Sequence, residues 1–406
     1  MGRRGKTIEP AVARSQAGDT DPSDLDSVAY SSVAGDNDTV HGDSDSEILG
    51  PHAIDVLRTN VENAADKSNN TRIEAMKNLI GLLRKCVLDE DLEHWKASLC
   101  DSLEKNLRRT DDESTLACGL VGLLAIQKAF DIEDELRGPL KALVHLANDY
   151  SKPEALRADA AQNIGIGAFF SADQPSEIRD YVTTLANLWS AVRTTSQTSA
   201  LFISALEAWT VLLHRAGDAA VNTAVEDSQP KLCQFLSATN VEIRIAAGEA
   251  LATLYQLARE SDEDFEFGNQ TYVEEIIEKL SLDSAKYHAK RDKRAQKLTF
   301  RQINDVMFND AFPESQVRFN RQETLEITDC MGRLLYDNLC ISLKSHMNIH
   351  LSKNAVIRDA FDLGPIVETD VVKETKQQKK DRQQTQVEMS KMRKIHRNKQ
   401  RDKKAY

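Results

Sequence analysis

The sequence predicts an all-α fold: a solenoid of stacked helix pairs, a small C-terminal helical domain, and disordered N- and C-terminal tails. Three observations carry this. An apolar rhythm recurs about every 40 residues through the middle of the chain. Only 9 Pro and 17 Gly punctuate 406 residues, while 41% are hydrophobic, enough for a core. Charge is segregated, with a formal total of -12 hiding a strongly basic end.

Residues 1–48 read as a disordered acidic tail. Positions 7–48 hold ten acids, seven serines and one base, Arg14, with almost no apolar periodicity. Ser23 (SDLD) and Ser44 (SDSE) each have an acid three residues on. Acidophilic kinases favour that pattern, so both are candidate phosphosites. The opening MGRRGKTIEP lacks the apolar stretch of a secretory signal. Lys6 stands where a myristoylation signal wants Ser or Thr.

Residues 49–260 carry the repeat. Five segments share one apolar pattern: TRIEAMKNLIGLL from Thr71, STLACGLVGLLAI from Ser114, PEALRADAAQNIGIG from Pro153, QTSALFISALEAW from Gln197 and NVEIRIAAGEALATL from Asn240. Their starts are 43, 39, 44 and 43 residues apart, the HEAT/armadillo period. Apolar residues at i, i+3, i+4 and i+7 give each a buried helix face. Partner helices are expected at 91–107 (DLEHWKASLCDSLEKNL) and 180–192 (DYVTTLANLWSAV). One helix pair cannot bury its own face, so neighbours must stack. A solenoid offers a long concave surface, which points to a binding protein.

Residues 261–350 open on a second basic feature, KYHAKRDKRAQKLTFR at 286–301. Lys286, Lys290, Lys293, Arg294, Lys297 and Arg301 are offset by 0, 4, 7, 8, 11 and 15, one stripe of a 3.6-period helix. A single-sided Lys/Arg stripe suits a polyanion backbone, because neutralising phosphates releases counterions. The alternatives are a solvated face or a nuclear import signal at KRDKR, 290–294. Phe300, Phe308, Phe312 and Phe319 then read as a small core on the last repeat. His346 and His350 form HxxxH, read as ordinary packed or surface histidines, since no zinc-spaced Cys or His stands nearby.

After Gly364-Pro365, a stop signal, a basic tail is expected at 371–406. The tail holds thirteen bases and four acids and no Gly or Pro. It lacks the apolar face of a membrane helix. Its final run is KMRKIHRNKQRDKK, with Lys391, Arg393, Lys394, Arg397, Lys399, Arg401, Lys403 and Lys404. Such a segment fits the phosphates of structured RNA better than base edges.

Signatures of chemistry are missing from the sequence. There is no P-loop and no GxSxG elbow. GIG at 165–167 lacks a third glycine and sits inside a helix pattern, where glycine permits close packing. Six scattered cysteines without a CxxC pair suit free thiols in a reducing compartment. No run of about 18 apolar residues suggests a membrane span. The expectation is a non-enzymatic protein without cofactor, metal, membrane or small-molecule substrate.

Several long, irregular stretches resemble the interferon-related developmental regulator family. They are VEIRIAAGEALATLYQLARESDEDF (241–265), KYHAKRDKRAQKLTFRQI (286–303), FP(x)4RF with LEITDC (312–330), and LSKNAVIRDAFDLGP (351–365), the last implying the family's short C-terminal domain at 351–370. The ending RNKQRDKKA (397–405) is similar too, whereas 366–396 is not. The resemblance implies one of two roles. One is binding to translationally silent ribosomes, a basic C-terminal helix entering the mRNA path. The other is nuclear co-regulation of transcription through histone-deacetylase co-repressor complexes. Cytoplasm and nucleus are both compatible with these.

Overall fold

A computed structural model describes residues 50–282, 290–309, 311–313, 315–320 and 322–366. Ser23, Ser44, Lys286 and the tail bases from Lys391 to Lys404 lie outside them. Helices come in pairs. The first pair is α1 (Gly50–Asn63) and α2 (Asn69–Lys85). A single turn, α3 (Asp89–Leu92), leads into α4 (Lys96–Asn106) and α5 (Asp111–Lys128). Then come α6 (Glu133–Asn148) with α7 (Glu154–Ser171), and α8 (Pro175–Ser190) with α9 (Ala200–Ala216). Short α10 (Asp218–Thr223) and α11 (Gln229–Phe235) precede α12 (Val241–Ser261), followed by α13 (Gln270–Leu282) and α14 (Lys290–Phe308). A hairpin, β1 (Ser315–Arg318) and β2 (Thr324–Ile327), leads to α15 (Cys330–Leu343), α16 (Met347–Lys353) and α17 (Ala355–Ala360).

Local sequence explains where the long helices start. Thr110 and Glu113 form a reciprocal capping box at α5. Ser68, Asn240 and Asp329 cap α2, α12 and α15 with side-chain oxygens. Pro175 opens α8, where its missing N–H costs nothing.

The second helix of each pair, α2, α5, α7, α9, α12 and α14, stacks on the next to form one continuous row. The five repeated segments supply the first five members. The row runs beyond residue 260, because α13 and α14 add one more pair. Close approach is built in. A Cβ on Gly165 would lie 2.5 Å from Ala208 Cβ and 2.8 Å from its Cα, so only glycine lets α7 meet α9 there. Fully buried Trp189 and Trp209 pack edge-on at 5.5 Å beside Phe202 and Phe235. Each such side chain contributes roughly 1.5–3 kcal/mol by leaving water. A window within Asp111–Asn148 is apolar enough to cross a membrane by composition, yet 67% of it is buried here, the behaviour of a core helix.

Arginines near the starts of second helices clasp the array. Arg72 donates to the carbonyls of Asp66 and Lys67, each 2.8 Å away, and pairs with Glu113 on the next second helix at 2.6 Å. Arg244, the lone charge of IRIAA, bonds the Ala238 and Thr239 carbonyls and reaches Gln296 of α14 at 2.7 Å. Buried arginines are tolerable here because each is hydrogen-bonded.

Three features depart from expectation. The helix expected over 91–107 breaks after Leu92 and restarts at Lys96. The break places Glu93 against Lys96 at 2.9 Å and against buried Lys128 at 3.0 Å. A two-stranded antiparallel hairpin interrupts the helices, pairing Ser315 with Ile327 and Arg318 with Thr324. The phenylalanines form core as expected: Phe300 and Phe319 are buried, and Phe308 and Phe312 pack against them partly exposed. The surface of the second-helix row is also not left open. The chain turns back after the hairpin and lays α15–α17 along α12, α9, α5 and α2.

Candidate nucleic-acid interface

Helix α14 holds the basic stripe in place by burying its opposite side. Gln296, Phe300, Ile303, Val306 and Met307 are buried at helical spacing. Gly248 of α12 makes room for them; a Cβ there would lie 2.8 Å from Ile303 Cδ1 and 2.9 Å from Phe300 Cε1. Gln296 accepts from Arg244 and donates to the Leu280 carbonyl. These contacts fix the rotation of α14 about its axis.

The outward side then carries the charge. Arg291, Arg294 and Arg301 are exposed, and Lys297 is half-buried at the edge of the packed face. Lys290 and Lys293 belong to the same helix. Lys286 precedes the described helix. Among the described residues, Arg294, Lys297 and Arg301 have no carboxylate partner. The side chains are therefore available to an external anion.

A second charged cluster escaped the sequence reading. Glu207 of α9, Glu249 of α12 and Asp337 of α15 meet where the returning helix docks. Burial, then the nearby Asp337 charge, pushes the Glu207 carboxyl up to about 7. Burial among these helices and the charges of Glu207 and Asp337 also raise Glu249. Glu249 keeps an exposed face, so water moderates that rise. Arg333 answers part of the charge through a 2.8 Å pair with Asp337. No signal in 64 scattered acids could have singled out these three.

The histidine pair is structural at one end. His350 is buried, its Nε2 3.0 Å from the Arg84 carbonyl and its Nδ1 3.2 Å from Asn354 Nδ2. The neutral ring donates through Nε2 and accepts through Nδ1, which leaves neither nitrogen for a metal. Burial pushes its pKa down to about 4. Asn354 also donates to the Ile126 carbonyl at 3.0 Å and caps α17. Arg358 is 1% exposed and binds Glu323 at 2.6 Å and the carbonyls of Leu351, Leu363 and Gly364. Among the described residues no group of three or more His, Cys, Asp or Glu is placed to hold a metal. All six cysteines are free, and burial raises the thiols of Cys100 and Cys330 to about 12 and that of Cys233 to about 11.

Comparison with known proteins identifies the lineage. The family model described as "Interferon-related developmental regulator (IFRD)" matches residues 27–307, and that described as "Interferon-related protein conserved region" matches 354–405. The second match includes 366–396, where the motifs alone carry no likeness. Mouse "Interferon-related developmental regulator 2" is 31% identical over 329 residues, 77% of this chain and 74% of its own length. Human "Interferon-related developmental regulator 1" is 30% identical over 77% of this chain and 72% of its own. Among solved structures, a designed armadillo repeat protein aligns over 62% of this chain and 99% of its own, with 15% identity and a TM-score of 0.39. The chain is a member of the interferon-related developmental regulator family, built as an armadillo/HEAT-like helical array.

Proposed function

We propose that this protein is a non-enzymatic regulator that binds ribosomes through ribosomal RNA and represses translation by occupancy. The observation that carries the reading is the outward face of α14, whose Arg294, Lys297 and Arg301 stand in line without carboxylate partners among the described residues. Each phosphate they neutralise releases counterions, so binding is driven by salt-dependent entropy rather than by base recognition. The tail bases Lys391, Arg393, Lys394, Arg397, Lys399, Arg401, Lys403 and Lys404 supply a second set of phosphate contacts in the mRNA path. No bond is made or broken; the protein acts by filling the channel.

Co-sedimentation with purified ribosomes across a salt series tests this, with the full chain beside a 1–370 truncation. Salt-sensitive binding that truncation weakens supports the reading. Absence of binding by either form overturns it and favours the nuclear co-repressor scaffold.

A further inference from the structure

Arg157 breaks the pattern set by Arg72 and Arg244. It occupies the matching place near the start of α7 and turns back to the Ala147 carbonyl at 2.8 Å. It is only 9% exposed. Yet it has no acceptor on the next second helix, where Arg72 finds Glu113 and Arg244 finds Gln296. Its Nη atoms have no hydrogen-bond or ion-pair partner among the described residues. In the partner's place lies a cleft of about 400 Å³ between the ends of α7, α8 and α9. That volume falls in the range of small-ligand sites, roughly 300–1,000 Å³.

The lining is chemically mixed in a particular way. Arg193 joins Arg157 as a second, exposed cation. Tyr150 lies with its ring centroid 4.5 Å from the Arg157 guanidinium carbon and is 78% exposed, so one ring face is open. Thr195, Ser196 and Thr198 line the wall; Ser196 Oγ donates to the Thr198 carbonyl and lies 3.3 Å from Thr198 Oγ1, so those two hydroxyls are already engaged and Thr195 brings the unengaged one. The one acid, Glu154, accepts from the Leu201 amide at the start of α9 at 3.4 Å. An arginine, an aromatic face and hydroxyls converging on one cleft are the contacts a nucleotide makes in single-stranded RNA recognition.

We propose that this cleft is a nucleotide site. Arg193 and the free Nη atoms of Arg157 hold the phosphate, the face of Tyr150 turned away from Arg157 stacks on the base, and Thr195 binds a sugar hydroxyl. The ligand is a free mononucleotide or one residue of a single-stranded RNA. The site is separate from the α14 stripe and stands whether or not the stripe binds ribosomes.

The test titrates the full chain with fluorescently labelled AMP, with inorganic phosphate and with a short single-stranded oligouridylate. Saturable AMP binding is expected, weakened about tenfold by Tyr150→Ala and about tenfold by Arg193→Ala. Arg193 is exposed, so Arg193→Ala should melt as the parent does; Tyr150→Ala also gives up the stacking on Arg157 and should melt slightly lower. Arg157→Lys keeps a charge but loses the planar fork and should weaken binding by a similar factor. Charge reversal at Arg294, Lys297 and Arg301 should leave AMP affinity unchanged, which separates this site from the stripe. Tighter oligouridylate binding that depends on Tyr150 identifies RNA as the source; equal affinity identifies the free nucleotide. AMP binding that fails to saturate, variants that bind as the parent does, or phosphate binding as tightly as AMP would each overturn the proposal.

Discussion

Helix α14 and the returning segment α15–α17 both follow the repeats, and they treat polar side chains in opposite ways. In α14 the packed face is apolar apart from Gln296, and Arg294, Lys297 and Arg301 face outward without carboxylate partners among the described residues. In α15–α17 the polar groups that matter point inward: His350 to Arg84, Asn354 to Ile126, Arg358 to Glu323. The difference teaches what each is for. A buried polar group with all its partners inside the chain holds the chain together. A row of exposed like charges adds nothing to its own fold, since mutual repulsion is its only internal effect. The first should govern stability and the second association.

The sharpest way to break that division is Arg358→Ala. It leaves the Glu323 carboxylate, which the Arg358 hydrogen bond holds below its usual range, without its counter-ion. Breaking a buried pair costs about 3–5 kcal/mol. Denaturant unfolding should show that loss, while the salt slope of RNA binding by the folded protein stays that of the parent.

Acid comes next. His350 titrates near 4 when folded and near 6.5 when unfolded. The unfolded chain binds more protons between those values, so stability from this group is complete above about pH 6.5 and is lost as pH falls toward 4. Up to about 3 kcal/mol is at stake. His350→Gln should flatten stability across that window.

The acidic junction comes last, and its sign is reversed. Glu207 is held up to about 7, so the folded chain binds more protons than the unfolded one between about 4.5 and 7. Its contribution is therefore greatest in acid and fades as pH rises through 7. Glu207→Gln removes that dependence: the variant should gain stability at pH 8 relative to the parent and differ little at pH 5. Melting temperatures at the two pH values check this.

The sequence revealed much of this fold because burial is periodic. Five second helices announce themselves through apolar spacing, and Gly165 through its place within GIG, since local pattern and tertiary contact coincide there. The outward direction of the α14 stripe was legible for the same reason, from offsets alone. The return of α15–α17 was not. Its apolar side, with Leu335, Leu339, Leu343, Met347 and Leu351 buried, repeats every four residues, but where it docks is set by long-range pairs such as Asn354 with Ile126 and His350 with Arg84, more than 200 positions apart. No periodicity encodes such pairs. The hairpin escaped because SQVR and TLEI are only four residues each. The Arg157 cleft escaped because what marks it is an acceptor missing from the next repeat, visible only once the repeats are superposed in space.

The most direct measurement is ribosome co-sedimentation by the full chain and by the Arg294→Glu, Lys297→Glu, Arg301→Glu triple variant, across a salt series. If the stripe holds a polyanion, reversal should weaken binding by about 100-fold at low salt and reduce the log–log salt slope by about 2. Thermal stability should stay close to the parent's, because none of the three side chains has a carboxylate partner among the described residues. Unchanged affinity and slope in the triple variant would contradict the account and leave α14 a solvated face.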